Sequence, residues 1–118
     1  ISMHDLLYGL MLRSGNDCAV AIAEHISGSI DNFSVLMNQK EFELGLFDSN
    51  FVSPHGLDNE NHYTTPYDLA ILTNYALNNS IFKKIVSTKF FIINPFKKHF
   101  LKFESAKSSG NTSTNIPL

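Results

Sequence analysis

Residues 13–20, Arg-Ser-Gly-Asn-Asp-Cys-Ala-Val, set a hydroxyl (Ser14) and a carboxamide (Asn16) two positions apart, between two apolar helical patterns. Such a pair can donate and accept hydrogen bonds to a substrate. It can equally serve as punctuation, because Ser and Asn side chains bond local backbone amides at caps and turns. Taken alone, the turn reads as punctuation. Cys18 is the sole cysteine, so no internal disulfide can form, and its apolar helical setting reads as a small buried hydrophobe rather than a nucleophile. His55 and His62 flank Asp58 and Glu60, all metal-ligating types, but the spacing matches no zinc pattern and completes no calcium loop. Loop-bracing hydrogen bonds are the expected role of these histidines, and no metal or cofactor is expected. His25 reads as an exposed or capping imidazole, Asp17 as a carboxylate favoured at a helix N-terminus, and Arg13 as a helix C-terminal cation.

The elements that must hold these groups are legible from periodicity. Met3, Leu6, Leu7, Leu10 and Met11 share one helical face over 3–12, with Ser2 and Asp5 spaced as a capping box. Gly9 inside that helix marks a close approach of another backbone. Residues 17–27 are apolar nearly all round, which predicts a helix central to its domain, ended by Gly28. A third helix is expected over 31–44, with Asp31 as N-cap, Phe33, Leu36, Met37 and Leu44 as its stripe, and Gly45 as its stop. Residues 45–64 carry no helical period and predict a long loop with one short extended piece near 50–53. Thr65-Pro66-Tyr67-Asp68 then starts a helix to about Leu77, with Thr65 as cap and Asp68 completing a box. A short helical turn over 80–86 follows. Residues 87–96 read as a strand ended by Pro95, with a second short strand at 100–103.

The sum is a mainly α fold of four or five helices plus one or two C-terminal strands. Its expected division is a helical subdomain (1–88), a strand-forming segment (89–104) and a loose polar tail (105–118). Two strands alone need partners that this stretch barely supplies. At 118 residues, with 43% apolar and 17% charged residues, the chain can bury a core and is not of disordered composition. A formal net charge of −2 argues against a general electrostatic grip on nucleic acid, so no nucleic-acid partner is expected. No apolar run approaches membrane-spanning length.

Further segments alter the reading of the Ser-Gly-Asn turn. Ser14–Glu24 (Ser-Gly-Asn-Asp-Cys-Ala-Val-Ala-Ile-Ala-Glu), Leu36-Met37-Asn38, Leu44-Gly45, Asn50–Asp58 (Asn-Phe-Val-Ser-Pro-His-Gly-Leu-Asp) and His62–Ala70 occur in that order. Together they resemble the serine-type D-alanyl-D-alanine carboxypeptidases, the low-molecular-mass penicillin-binding proteins, over about residues 2–88. The resemblance implies the penicillin-recognising serine DD-peptidase/β-lactamase-like α/β fold, with a helical subdomain against an antiparallel sheet. It implies three cleft motifs: Ser-x-x-Lys for the nucleophile and its lysine, Ser-x-Asn between two helices, and Lys-Thr-Gly on a carboxylate-binding strand. Ser14-Gly15-Asn16 matches the second. By that match Ser14 and Asn16 are catalytic and Gly15 and Asn16 bind substrate. Ser14 would relay a proton between the lysine and the leaving amine, and Asn16 would bond the donor peptide and the lysine.

The outer motifs do not match. The one literal Ser-x-x-Lys, Ser80-Ile81-Phe82-Lys83, lies downstream of Ser14, and Lys83 and Lys84 read as a solvated face. Lys107-Ser108-Ser109-Gly110 has one residue too many for Lys-Ser-Gly, and in a strand such an insertion turns side chains to the other face. The chain is therefore expected to be an internal stretch of such an enzyme and inactive by itself. Expected partners are the peptidoglycan stem peptide ending in D-Ala-D-Ala, β-lactams, and the remainder of the catalytic domain. The aromatic segment over 88–103 is expected to support self-association. The family implies a cell-envelope location outside the cytoplasmic membrane. The competing reading is a degenerate, non-catalytic helical module that binds peptidoglycan peptide or serves a structural role.

Overall fold

A computed structural model describes residues 1–93 and 101–104. The expected strand stop at Pro95 and the polar tail 105–118, with its Lys107–Gly110 run, lie outside the described residues. Five helices and two strands follow in order: α1 (Met3–Arg13), α2 (Asn16–Ser27), α3 (Ile30–Leu44), α4 (Pro66–Leu77), α5 (Ser80–Val86), β1 (Phe90–Ile93) and β2 (Leu101–Glu104). The architecture is thus mainly α, with a short antiparallel pair of strands near its C-terminal end.

α1 starts where the spacing predicts: the Asp5 N–H donates to the Ser2 hydroxyl at 3.1 Å. Its inner face buries Tyr8, Gly9 and Leu12. Tyr8 and Leu12 join Ile85 of α5 in one apolar cluster, with Leu7 and Phe91 packed against it. The Phe91 ring stacks on the Tyr8 ring with centroids 3.8 Å apart, and this contact docks β1 on α1. Pairing runs antiparallel, Phe90 opposite Glu104 and Phe91 opposite Phe103.

α2 packs against both α1 and α3. Ala19, Ile22 and Ala23 form its buried side, and the two small alanines allow a neighbour to pack closely. Packed against α1 and α3, α2 is nonetheless not covered on every side. Ala21 and Ile26 are exposed, because no described element covers the far side of α2. α3 shows the same pattern more strongly. None of its residues is fully buried: Phe33, Met37 and Leu44 are half-covered and Leu36 is exposed.

The start of α3 corrects the sequence reading. Ser29, not Asp31, is the N-cap, accepting the Asn32 N–H at 3.0 Å. Gly28 closes α2 at φ +85°, and Ser29 follows at once in extended backbone, so the turn is complete before Asp31 is reached. Asp31 instead lies in the first turn, where a carboxylate is favoured.

The stretch 45–64 is a loop, but a tied one. Leu46 is fully buried beneath it. Asn50 and Tyr63 exchange backbone hydrogen bonds at 2.9 and 3.0 Å, closing its base. The Asn38 side chain of α3 both donates to the Phe51 carbonyl (2.8 Å) and accepts the Phe51 N–H (2.9 Å). At α4, Thr65 caps by accepting the Asp68 N–H, with Pro66 in the first turn. Asp68 does not complete the box. Its carboxylate turns away to accept the Asp48 N–H at 3.0 Å and the Ser49 hydroxyl at 2.7 Å, and it is 2% exposed. A buried carboxylate needs such donors, and the loop supplies them.

Candidate active site

The Ser14-Gly15-Asn16 turn joins α1 to α2, and its backbone is unusual at Ser14. Ser14 has φ +54°, ψ +43°, the sole non-glycine residue with positive φ among the described residues. That left-handed conformation costs an L-residue about 1 kcal/mol or more. The turn holds it there through one acceptor, the Gly9 carbonyl of α1. The Ser14 N–H points to it, and the Gly15 N–H donates to it at 3.3 Å. The Gly9 carbonyl thus ties the end of α1 to the turn.

Space at Gly15 is tight. A Cβ there would lie 3.1 Å from the Gly9 carbonyl oxygen and 3.1 Å from the Cys18 sulfur. Gly15 is also the N-cap of α2, with no side chain to cap with. This bears on the punctuation reading. In a cap-driven turn Ser or Asn would occupy the N-cap and bond the open amides of the first turn. Here the residue without a side chain takes that position. Ser14 and Asn16 are exposed, and among the described residues neither side chain has a hydrogen-bond partner. Two polar side chains flank a capping position and cap nothing.

Cys18 is half-buried in the first turn of α2 and faces Gly15. Burial, and secondarily the neighbouring Asp17 carboxylate, push its thiol above the ordinary value, so it remains a neutral thiol. Sequence reasoning treated Cys18 as packing and missed what it packs against. The signal is the three-residue spacing from Gly15, one helical turn.

Of the other sequence candidates, Arg13 and Asp17 border this turn and the rest lie elsewhere along the chain. Ser80 and Lys83 sit exposed on α5, in the first and last turns of a seven-residue helix. His25 is exposed in the last turn of α2, and Arg13 occupies the last turn of α1. His62 accepts the Val52 N–H at 3.0 Å and His55 accepts the Leu57 N–H at 3.2 Å, both through Nδ1. These are loop braces. Among the described residues no three His, Cys, Asp or Glu side chains are grouped to hold a metal ion. Among them, too, no helix is long and apolar enough to cross a membrane.

Helical units of this shape are found in penicillin-binding proteins. Penicillin binding protein 5 from Haemophilus influenzae superposes with a TM-score of 0.78 at 39% identity, covering 89% of this chain and 29% of that one. A D-alanyl-D-alanine carboxypeptidase from Mycobacterium tuberculosis superposes with a TM-score of 0.82 at 28% identity, covering 91% of this chain and 40% of that one. The fold is that of the penicillin-recognising serine DD-peptidases. Within it, the chain belongs to the D-alanyl-D-alanine carboxypeptidase family, whose model it matches over residues 1–108. The D-alanyl-D-alanine carboxypeptidase DacA of Haemophilus influenzae is 41% identical over 99 residues, 83% of this chain and 25% of that protein. DacF of Bacillus subtilis is 41% identical over 88 residues, 75% of this chain and 23% of that protein. The chain spans about a quarter of the length of these curated relatives.

Proposed function

We propose that residues 1–118 form the Ser-x-Asn portion of a serine-type D-Ala-D-Ala carboxypeptidase that trims peptidoglycan stem peptides. In this reading, residues 1–88 are its helical subdomain and 89–104 a strand-forming segment that joins the sheet of the full catalytic domain. A nucleophilic serine and its lysine, outside the Ser14 turn, attack the penultimate D-alanine carbonyl to form an acyl-enzyme. Ser14 relays the proton from the lysine to the departing D-alanine amine. The Asn16 carboxamide holds the donor peptide's backbone and the lysine, and Gly15 lies against the peptide. Penicillins, whose lactam carbonyl stands in for the same peptide bond, acylate the same nucleophile. Water then releases the trimmed peptide.

The observation that carries this reading is the state of Ser14 and Asn16: exposed, without hydrogen-bond partners among the described residues, and held beside a strained backbone angle. Exposed polar side chains that cap nothing support a functional role over side-chain capping. Exposed apolar side chains on several helices, such as Ile26, Val35, Phe42 and Ile81, support a further covering portion. Outside that complete domain, the open edge of the β1–β2 pair is the surface through which residues 88–103 would self-associate. The setting is the cell envelope, outside the cytoplasmic membrane.

The test is the full reading frame containing these residues, expressed and incubated with a fluorescent penicillin and with a peptide ending in D-Ala-D-Ala. Labelling and release of D-alanine by the complete protein, lost in Ser14→Ala and absent from residues 1–118 alone, are expected. A frame without the two outer motifs that still binds stem peptide without turnover would establish the non-catalytic module instead.

A further inference from the structure

Cys18 sits one helical turn after Gly15, and its sulfur occupies the space that a side chain at position 15 would need, 3.1 Å from the Cβ position. The Gly9 carbonyl oxygen borders the same Cβ position, also at 3.1 Å. Gly15 therefore faces, at one point, a backbone oxygen that cannot rotate away and a side chain whose size is set by position 18. The residues it separates, Ser14 and Asn16, have no side-chain bonds among the described residues to fix them. Their placement depends on backbone packing alone. Further along α2, Ala19 and Ala23 are 2% and 0% exposed, so this helix is closely packed where it continues from Cys18.

We propose that Cys18 is a positioning residue for the Ser14–Asn16 pair, its volume setting how Gly15 seats against the Gly9 carbonyl and hence the separation of hydroxyl and carboxamide. The proposal rests on the function assigned to Ser14 and Asn16 above. The role is one of packing, not of thiol chemistry, which fits a thiol held neutral. A side chain larger than Cys lifts Gly15 from the Gly9 carbonyl and turns Ser14 and Asn16 together. A misplacement of this kind acts on the rate of acylation more than on ground-state binding, because orientation matters most in the transition state.

The test is a size series at position 18 in the complete protein containing these residues, read by acylation with a fluorescent penicillin, by kcat and KM separately, and by Tm. Cys18→Leu is expected to slow acylation at least about tenfold, mainly in kcat, with Tm shifted by no more than a few degrees. Cys18→Ser, of similar size, is expected to retain acylation within about twofold, since volume rather than sulfur is the cause. If Cys18→Leu does not fold, Cys18→Val carries the same prediction with a smaller effect. Wild-type acylation in the folded larger variants overturns the proposal, as does a rate that falls only in step with Tm. Loss of acylation in Cys18→Ser equal to that in Cys18→Leu also overturns it. Ser14→Ala separates the two levels. If Ser14→Ala is inactive and Cys18→Leu is normal, only the positioning role fails. If Ser14→Ala is fully active, the assigned function fails and the positioning role with it.

Discussion

Asn38 and Phe51 meet as two strand residues would: the Asn38 carboxamide donates to the Phe51 carbonyl at 2.8 Å and accepts the Phe51 N–H at 2.9 Å. A helix side chain thus does for one loop residue what a neighbouring strand does for a sheet. Both backbone groups of Phe51 are satisfied, and the loop is fastened to α3 thirteen residues away.

Replacing Asn38 by Leu keeps the approximate volume and removes both bonds. Two part-buried backbone groups are then left without partners, at about 1–3 kcal/mol each before relaxation. Chemical denaturation should show a loss of about 2 kcal/mol or more. Hydrogen exchange at the Phe51 amide should accelerate more than exchange in α1.

Asp68 fastens the other end of the same loop. Asp68→Ala leaves the Asp48 N–H and the Ser49 hydroxyl without their acceptor, and it removes a carboxylate from the first turn of α4. Hydrogen bonds to charged groups are worth about 1.5–3 kcal/mol each, so a loss of about 2–4 kcal/mol is expected in the same measurement. Ser49→Ala should cost less than Asp68→Ala, since the Asp48 bond survives.

Ser14→Gly separates strain from chemistry. Glycine takes a positive φ freely, so the substitution should raise stability by up to about 1 kcal/mol. In the complete protein the same variant should lose acylation by fluorescent penicillin, because the hydroxyl is gone. Stability rising while activity disappears is the expected signature. A fall in stability would mean that the hydroxyl supports the turn.

Gly15→Ala acts in the opposite sense. The added methyl meets the Gly9 carbonyl oxygen, a backbone atom that cannot rotate aside. Overpacking of this kind typically costs about 1–3 kcal/mol. Thermal unfolding should show that loss, and acylation by the complete protein should fall with it.

Cys18 should be a slow thiol. Its value is raised by burial and then by Asp17, so less thiolate forms at a given pH than in a free cysteine. Iodoacetamide labelling of the folded chain at pH about 8 should lag behind that of an unfolded control. The stability sign follows from the same shift. A raised thiol value in the folded state means that its contribution is complete below the ordinary thiol range and declines as pH rises through it. Stability should therefore weaken at alkaline pH, and Cys18→Ser should remove that part of the decline.

What the amino-acid sequence determined by itself was local. Helix starts with a capping residue and a stripe, such as Ser2 with α1 and Thr65-Pro66 with α4, were legible because the signals act within one or two turns. The ordered segments from Ser14 to Ala70 also carried the family, which the fold and relatives bear out. Tertiary structure decided which groups met across distance. Asp68 looks like half of a capping box and instead faces Ser49, because the loop folded against α4 brings it two donors, the Asp48 N–H and the Ser49 hydroxyl. Asp31 looks like a cap and loses that place to Ser29, because Gly28 turns the chain one step earlier. The Ser-Gly-Asn turn has the composition of punctuation, and only its backbone shows that Gly15 caps the helix while Ser14 and Asn16 stand free. That distinction lies in φ angles and in the Gly9 carbonyl five and six residues before Ser14 and Gly15. Residue type alone does not encode it, because the same three side chains fit either arrangement until α1 and α2 pack together.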